Sequence, residues 1–539
     1  MTAVSRYTRE MIQAYVEAGH WTPHATSDFW DRNAASRPDR PALADGRASY
    51  TWASGAAAVD AIASGLIDAG VPRDGVLLVQ AADSAILVLF RLACEKAGII
   101  PAFLHAGFRR SEIEAVSRKI SPVGAVVGAD EKAGLLSLYR SPGASLNLQF
   151  LFTLEPNSLG LASITELAGG PAHAHFGARR IRAYEMTGIV TSSGTTGLPK
   201  CIEYSCWPRL ASSRVYIERL EVTERDVILT CVPAYTGGGD MQFHLAPQAG
   251  ARFIVLSGFA PEEACRLIER EGVSGAVMVP TMIARINGLA GLAGYELSRL
   301  RWVVSGGGML PYDVGARFED ATGAKIIQGY GLMDYGALSS HGVGEPRDVR
   351  LRTSGRVLPG TELRILDETG APLPPGATGE LCGRGPHCNG GYIGDPEGMT
   401  LAWRDGFFHT GDLGRIDDQG FVVLEGRSKD IVIRGGQNIS AAEVETMLCR
   451  HPAIADAALV RMPDPEMGER ACAFVVLHAG ANLSFAELVR FMKLQEVAAY
   501  KIPERLEIVA DFPMTPAGNK VDKRALESKL RDRAAQSAA

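Results

Sequence analysis

The sequence has little that would commit it to an oxidising compartment, a membrane or a nucleic acid. Its nine cysteines among 539 residues include no CxxC pair and no cysteine–histidine cluster at metal-ligating spacing. That scarcity argues against a disulfide framework or a zinc site and fits reduced, buried thiols in a cytoplasmic protein. No sign of charge dominates, since 55 Lys and Arg face 61 Asp and Glu for a formal net charge of -6. Without a basic field, nucleic acid is not an expected partner. The most apolar region, GVLLVQAADSAILVLFRLACEKAGIIPAFL, is interrupted by Asp83, Arg91, Glu95 and Lys96. It reads as strand, helix and strand in a core, not as a membrane span. The opening MTAVSRYTREMIQ carries no apolar core of a secretory leader, so none is expected.

What is present is a long chain of ordinary globular composition, 46% hydrophobic and 22% charged. A chain of this length exceeds what one core serves, so two or more domains are expected. Short β-branched runs (VLLVQ at 76, GAVVGA at 124, VILTCVP at 227, RFIVLS at 252, GAVMVP at 275, RWVVSG at 301) alternate with helical stretches such as PEEACRLIEREG. This alternation predicts an α/β core with largely parallel sheets. Near 350 the texture changes to short alternating strands with Gly/Pro turns, TELRILDETGAPLPPGATGELCGRG, which predicts a small antiparallel β unit. After VLEGRSKD comes a mixed segment of roughly a hundred residues, large enough for a small domain of its own. Helices are expected at SAAEVETMLCRH and FAELVRFMKLQ, strands at AALV and CAFVVL, and a frayed tail at RDRAAQSAA.

The stretch TSSGTTGLPK, from Thr191 to Lys200, buries nothing by itself. Gly194 and Gly197 free the backbone so that N–H groups can converge on an anion. Ser192, Ser193, Thr195 and Thr196 add hydroxyl donors, and Lys200 supplies a point charge. Together they suit a polyphosphate, although a lone loop of this kind also serves as a surface turn. It lacks the GxxxxGK-Ser/Thr pattern, so a P-loop NTPase is disfavoured.

TSSGTTGLPK resembles the phosphate-binding signature of the adenylate-forming superfamily of acyl- and aryl-CoA synthetases, luciferases and peptide-synthetase adenylation domains. SGGGML (305–310) and QGYGLMD (328–334) resemble its adenine-facing segments, and FHTGDLG (408–414) its ribose-binding segment. GRSKDIVIRGGQNIS (426–440) resembles its hinge and MTPAGNKVDK (514–523) its lysine loop. Within the superfamily, YVEAGHW and the segments RHPAIADAALVRMPDPEMGERACAFVVL and AAYKIPERLEIV are most similar to stand-alone 2,3-dihydroxybenzoate-AMP ligases.

The resemblance implies an N-terminal adenylation core over 1–428, made of two α/β subdomains and a small β unit. A small, mobile α+β domain with the catalytic lysine loop would follow over 429–539. It implies two half-reactions, with ATP and Mg²⁺ as cofactors. A small carboxylic acid attacks the α-phosphate of ATP, and a thiol of a carrier protein or of CoA then expels AMP. Carboxylate and triphosphate repel each other, so a site must neutralise charge and fix in-line geometry.

On this pattern Asp412 would accept from the ribose hydroxyls and Arg427 would reach ribose or phosphate. Gly307, Gly329, Tyr330 and Gly331 would line the adenine, with Tyr330 stacking on it. Asp334 stands where the family has a magnesium-binding glutamate, one methylene shorter. Lys429 falls at the hinge, where the C-terminal domain rotates between poses. Lys520 would bridge the substrate carboxylate and an α-phosphate oxygen. Asn519 separates it from Gly518, which leaves Lys523 as an alternative.

The acid pocket departs most from the dihydroxybenzoate ligases. VPAYTGGGDMQFH puts Tyr235 and Thr236 where they carry an aromatic–histidine pair. Tyr235, Gly237, Gly306 and Met333 would line the pocket, with Gly237, Gly238 and Gly239 leaving room. Asp240 would either hold the ammonium of an amine-bearing acid or cap the helix that starts at MQFHLAP.

Overall fold

The computed structural model describes residues 7–128, 135, 138, 146–157, 160–168, 172–173, 176–192, 199–308, 310–367, 369–427, 431–513, 521 and 523–538. The apolar runs of the first two thirds become strands of two largely parallel sheets. The first has seven strands in the order Gly391–Tyr392, Lys200–Ser205, Met186–Ser192, Ile100–Phe103, Val76–Gln80, Gly124–Val127 and Phe150–Thr153. The second has nine: Arg356–Val357, Gly336–Ser340, Lys325–Leu332, Trp302–Ser305, Gly275–Met278, Val227–Thr230, Arg252–Val255, Pro41–Ala44 and Ser49–Thr51. In the nine-stranded sheet the strands from Lys325–Leu332 to Pro41–Ala44 run parallel.

One core joins the two sheets, because its buried residues come from strands of both. Helix Ala85–Ala97 is buried along its whole length inside that core, started by the Ser84 side chain and stopped by Gly98 in the left-handed conformation. Burying Leu87, Leu89, Phe90 and Leu92 in this helix contributes about 1.5–3 kcal/mol each. The charges that interrupt its apolar run all have polar partners. Lys96 lies 2.6 Å from both Asp31 and Asp60, and Glu95 accepts from the Ser27 amide at 2.8 Å.

The predicted β unit is a five-stranded antiparallel sheet built from Glu362–Leu366, Gly379–Arg384, Phe407–Ile416, Trp403–Arg404 and Val422–Arg427. From residue 431 onward the chain builds a sheet of its own, with Ile454–Asp464 and Gly468–Leu477 as its long hairpin. Helices Ala441–Leu448 and Phe485–Leu494 occur where predicted. The architecture is mixed α/β, a large N-terminal domain followed by a smaller C-terminal one. The tail departs from expectation. Helix Lys523–Ala538 runs through RDRAAQSA, consistent with the high helix propensity of Ala and Arg. All nine cysteines are free thiols, eight buried and Cys449 exposed. Among the described residues, no helix is long and apolar enough to cross a membrane.

Candidate functional site

Segments that follow parallel strands gather at one edge of the sheet, where α/β folds bind ligands. The nine-stranded sheet delivers Tyr235–Asp240, Val279, Gly306–Gly308 and Met333–Asp334 from four strands ending at Thr230, Met278, Ser305 and Leu332. The seven-stranded sheet delivers Ser192 and Lys200, which are directly paired across antiparallel strands. That pairing pins both ends of the glycine- and hydroxyl-rich loop. Ser193, Gly194, Thr195 and Thr196 lie outside the described residues.

Lys200 is buried and donates to Asp334 at 2.9 Å and to the Tyr392 hydroxyl at 2.8 Å. Ser192 Oγ donates to the other Asp334 oxygen at 3.0 Å, and Tyr392 donates to Asp334 at 2.5 Å. Four groups from distant parts of the chain therefore meet at the loop mouth. Sequence reasoning missed Tyr392, since GGYIGD carries no signal beyond a turn.

Tyr330 and Asp412 come together, with the phenol donating to Asp412 Oδ2 at 2.6 Å. Asp412 is buried and sits opposite Arg427 in the Phe407–Ile416/Val422–Arg427 pairing. The Tyr330 ring is only 7% exposed and packs with Tyr335, Leu338 and Phe408, so most of its surface is spent between the Gly336–Ser340 strand and the β unit. Gly331 is required sterically, because a Cβ there would lie 2.5 Å from the Gly336 carbonyl oxygen. Gly307 has φ +79°, and a Cβ on Gly306 would meet nothing within 4 Å. The SGGG segment therefore borders open space.

Tyr235 stacks on Phe103 with ring centroids 5.6 Å apart and planes 10° apart. Burial, reinforced by the charge of Asp83, raises its phenol pKa and keeps it neutral. Asp83 itself is pushed up to about 6 by burial and accepts from the Ala234 amide at 2.9 Å. Met333 Sδ accepts from the Gly237 amide at 3.1 Å and from the Tyr204 hydroxyl at 3.6 Å. Of the three glycines, only Gly237 could carry a Cβ without a clash, with Met333 Sδ 3.9 Å away. A Cβ on Gly238 would lie 2.6 Å from Val277, and one on Gly239 2.3 Å from the Pro233 carbonyl oxygen. Those two permit close packing rather than a roomier pocket.

Asp240 fits neither of its two expected roles. Its helix is Gly237–Ala249, with Thr236 at the N-cap, and the Asp240 amide already donates to the Thr236 carbonyl. The residue is therefore inside the first turn, not at the cap. Its carboxylate is fully buried, hydrogen-bonded by Arg91 and 3.2 Å from Arg209 Nε. His244, one turn along the same helix, approaches within 3.5 Å. Although burial opposes its charge, the arginines hold the Asp240 carboxyl far below the usual carboxylate range. Burial pushes His244 down to about 4, so that ring is neutral. A substrate ammonium would meet an acid already claimed by two guanidiniums.

These arginines reach the residues expected to line the acid pocket. Arg91 donates to the Ala234 carbonyl at 3.2 Å and stands 5.5 Å from the Phe103 ring centre. Arg209 stacks 3.6 Å over Tyr204 and donates to Asn389, which in turn donates to the Met333 carbonyl at 2.6 Å. Both are invisible as a site in sequence, although Arg91 within an apolar helix was a signal of pairing.

Lys429 and Lys520 lie outside the described residues, as does the Arg427 side chain. Lys523 starts the last helix and is tied to Glu445 at 2.8 Å within the C-terminal domain. Among the described residues, one group could hold a metal ion: Glu380, Cys382 and His409 in the β unit. Arg404 donates to or abuts His409 Nδ1 at 2.7 Å and brings its own positive charge there.

Residues 30–393 match the AMP-binding enzyme family, and residues 443–519 match the AMP-binding enzyme C-terminal domain. The chain is 29% identical to the medium-chain fatty-acid–CoA ligase of Escherichia coli K12, over 99% of this chain and 96% of that one. It is 29% identical to the 2,3-dihydroxybenzoate-AMP ligase of Bacillus subtilis 168, over 97% of each. In structure it is similar to the amide bond synthetase McbA of Marinactinospora thermotolerans, with a TM-score of 0.83 and 26% identity, over 93% of this chain and 99% of that one.

Proposed function

This chain belongs to the AMP-binding enzyme family of ATP-dependent, adenylate-forming ligases, and we propose that it activates a small aryl acid as its acyl-AMP and passes the acyl group to the phosphopantetheine thiol of a carrier protein. The observation that carries this reading is the meeting of Lys200, Ser192, Tyr392 and Asp334 at the mouth of the hydroxyl-rich loop. A lysine and an acid in contact there are suited to a polyphosphate and its counter-ion. Lys200 would neutralise phosphate charge as the acid oxygen attacks. Asp334, a hard oxygen donor, would hold Mg²⁺, which when bound supplies further charge neutralisation on the phosphates. Asp412 and Arg427, opposite each other on paired strands, would orient the ribose. Lys520 would act in acyl-AMP formation and Lys429 as the pivot between half-reactions, dividing the chain into working parts at 428/429.

The substrate is read as an acid without a protonated amine. Two guanidiniums share the Asp240 carboxylate behind the Phe103/Tyr235 and Tyr204/Met333 walls, so an ammonium in the pocket gains no unpaired carboxylate from Asp240. The Phe103–Tyr235 stack and the Met333 thioether suit a flat ring.

A pyrophosphate-release screen over aryl, amino-aryl, β-amino and fatty acids tests the reading, followed by holo-carrier protein or free CoA as acceptor. Release with aryl acids and loading of the carrier support it. Release only with fatty acids, or thioester only on free CoA, would replace it with an acyl-CoA synthetase.

A further inference from the structure

The C-terminal domain touches the N-terminal one through a buried ion triad of Glu112, Glu443 and Lys501. Lys501 follows Tyr500 in the segment Ala499–Lys501 and is 1% exposed. Its ammonium lies 2.6 Å from Glu443, on helix Ala441–Leu448 of its own domain. It lies 3.2 Å from Glu112, on helix Arg110–Ile120 of the N-terminal domain. The same Glu112 oxygen accepts from the Ala498 amide at 3.3 Å, while the other accepts from the Arg109 amide at 3.0 Å and caps the Glu112 helix. Glu112 is 2% exposed, and its C-terminal-domain neighbours are the ones that seal the Oε1 side.

The surrounding contacts repeat this crossing. Arg110 pairs with Glu496 at 3.2 Å, His105 packs edge-on to Tyr500 at 4.9 Å, and Gln437 reaches His105 at 3.3 Å. The turn at Gly435–Gly436 lies against the site itself, since a Cβ on Gly436 would come within 3.6 Å of Val279, the residue that also faces Gly307. Val521 and Lys523, the described residues of the lysine-loop motif, lie elsewhere. Val521 packs on the sheet face of Cys472 and Phe474, and Lys523 is tied to Glu445. Tyr500 belongs to the other cluster of that sheet, with Ala471 and Val475. The hairpin is thus docked at the site while Val521 and Lys523 pack within their own domain.

We infer that Glu112 and Lys501 form a buried charge latch that holds the C-terminal domain in its thiol-transfer orientation. Lys501 keeps Glu443 in any orientation, because both belong to one domain. Glu112 is its partner only in this one. Buried ion pairs add little net stability but penalise arrangements that leave a charge unpaired. Here two acids share one ammonium, and burial together with the second acid holds the Glu443 pKa above its usual value despite Lys501. Neither side tolerates a small displacement, so the triad selects one orientation. Lys501 is a positioning residue and touches no reacting atom.

The inference rests on the two-half-reaction reading above, but its first test does not. Spin labels on Cys449, the exposed native cysteine, and on an Ala293→Cys surface site report the interdomain distance in the full-length protein. In Lys501→Met the wild-type distance population should be largely lost, with the far-UV spectrum unchanged. In activity, thioester formation from supplied acyl-AMP should fall about tenfold or more while pyrophosphate exchange stays within about twofold. Glu112→Gln, whose single acceptor oxygen can keep either the helix cap from the Arg109 amide or the Ala498 contact but not both, should lower transfer about threefold. The double variant Lys501→Met/Glu112→Gln should recover part of what Lys501→Met loses, because one stranded carboxylate is gone. An unchanged distance distribution in Lys501→Met overturns the latch, as does a double variant no better than the single. If no acid supports pyrophosphate exchange in the wild type, the functional reading fails while the distance measurement still judges the latch.

Discussion

Arg209 Nε stands 3.2 Å from the carboxylate of Asp240, and neither side chain is more than 6% exposed. Arg91 closes the same carboxylate from helix Ala85–Ala97. Two cations on one buried acid make Asp240 a structural anchor of helix Gly237–Ala249, and that placement has consequences for mutation.

Asp240→Asn should destabilise the protein by about 3–5 kcal/mol, because it strands two buried guanidiniums. Denaturant titration measures this. The ratio of kcat/KM between an aryl acid and its amino analogue should stay unchanged. A fully stable variant with a KM raised only for the amine-bearing acid would return Asp240 to the pocket.

Lys200→Met should lower the rate of acyl-AMP formation by about a hundredfold, the scale of removing one preorganised charge from a transition state. Stability should fall by about 1–3 kcal/mol, because Asp334 loses its cation but keeps the Ser192 and Tyr392 hydroxyls. Single-turnover formation of acyl-AMP is the readout. A loss of rate no greater than the loss of folded protein would mean that Lys200 acts only as a fold contact.

Gly306→Ala and Gly331→Ala should separate binding from folding. A Cβ at Gly306 enters open space, whereas one at Gly331 would sit 2.5 Å from the Gly336 carbonyl oxygen. Gly306→Ala should keep the wild-type melting temperature and shift substrate preference toward smaller acids or lower ATP affinity. Gly331→Ala should cost about 1–3 kcal/mol through overpacking. Equal stability of the two would contradict the packing described.

Acid should destabilise the fold in a window set by buried imidazoles. His105, His244 and His387 are pushed down by burial from 6.5 to about 4. The unfolded chain takes up protons first, so stability is complete above pH 6.5 and falls as pH drops toward 4. His244→Gln should flatten the slope of melting temperature against pH in that window, as one of five imidazoles held down by burial. A slope unaltered by the substitution would remove His244 as a contributor.

The fold was legible where burial on both faces writes continuous apolar runs. Val227–Thr230, Gly275–Met278 and Trp302–Ser305 are strands for that reason. The site was legible in its short motifs, whose residues share one strand end, as Gly306 and Gly307 do. Its long-range partners were not. Arg91 reaches Asp240 across 149 residues, and Tyr392 reaches Lys200 across 192. Nothing in local composition records such a meeting. The room attributed to Gly238 and Gly239 failed for a related reason. A glycine admits either empty space or a neighbouring backbone, and only the packed structure distinguishes them. The position of the tail RDRAAQSA suggests fraying, while its residues favour the helix it forms.

In the proposed function, this site joins a carboxylic acid to the α-phosphate of ATP. Isotope exchange between labelled pyrophosphate and ATP tests it most directly, because only a reversible acyl-AMP step returns label to ATP. Acid-dependent exchange with aryl acids, lost in Lys200→Met, is the predicted result. Acid-independent ATP breakdown, or release of phosphate and ADP in place of pyrophosphate and AMP, would contradict it.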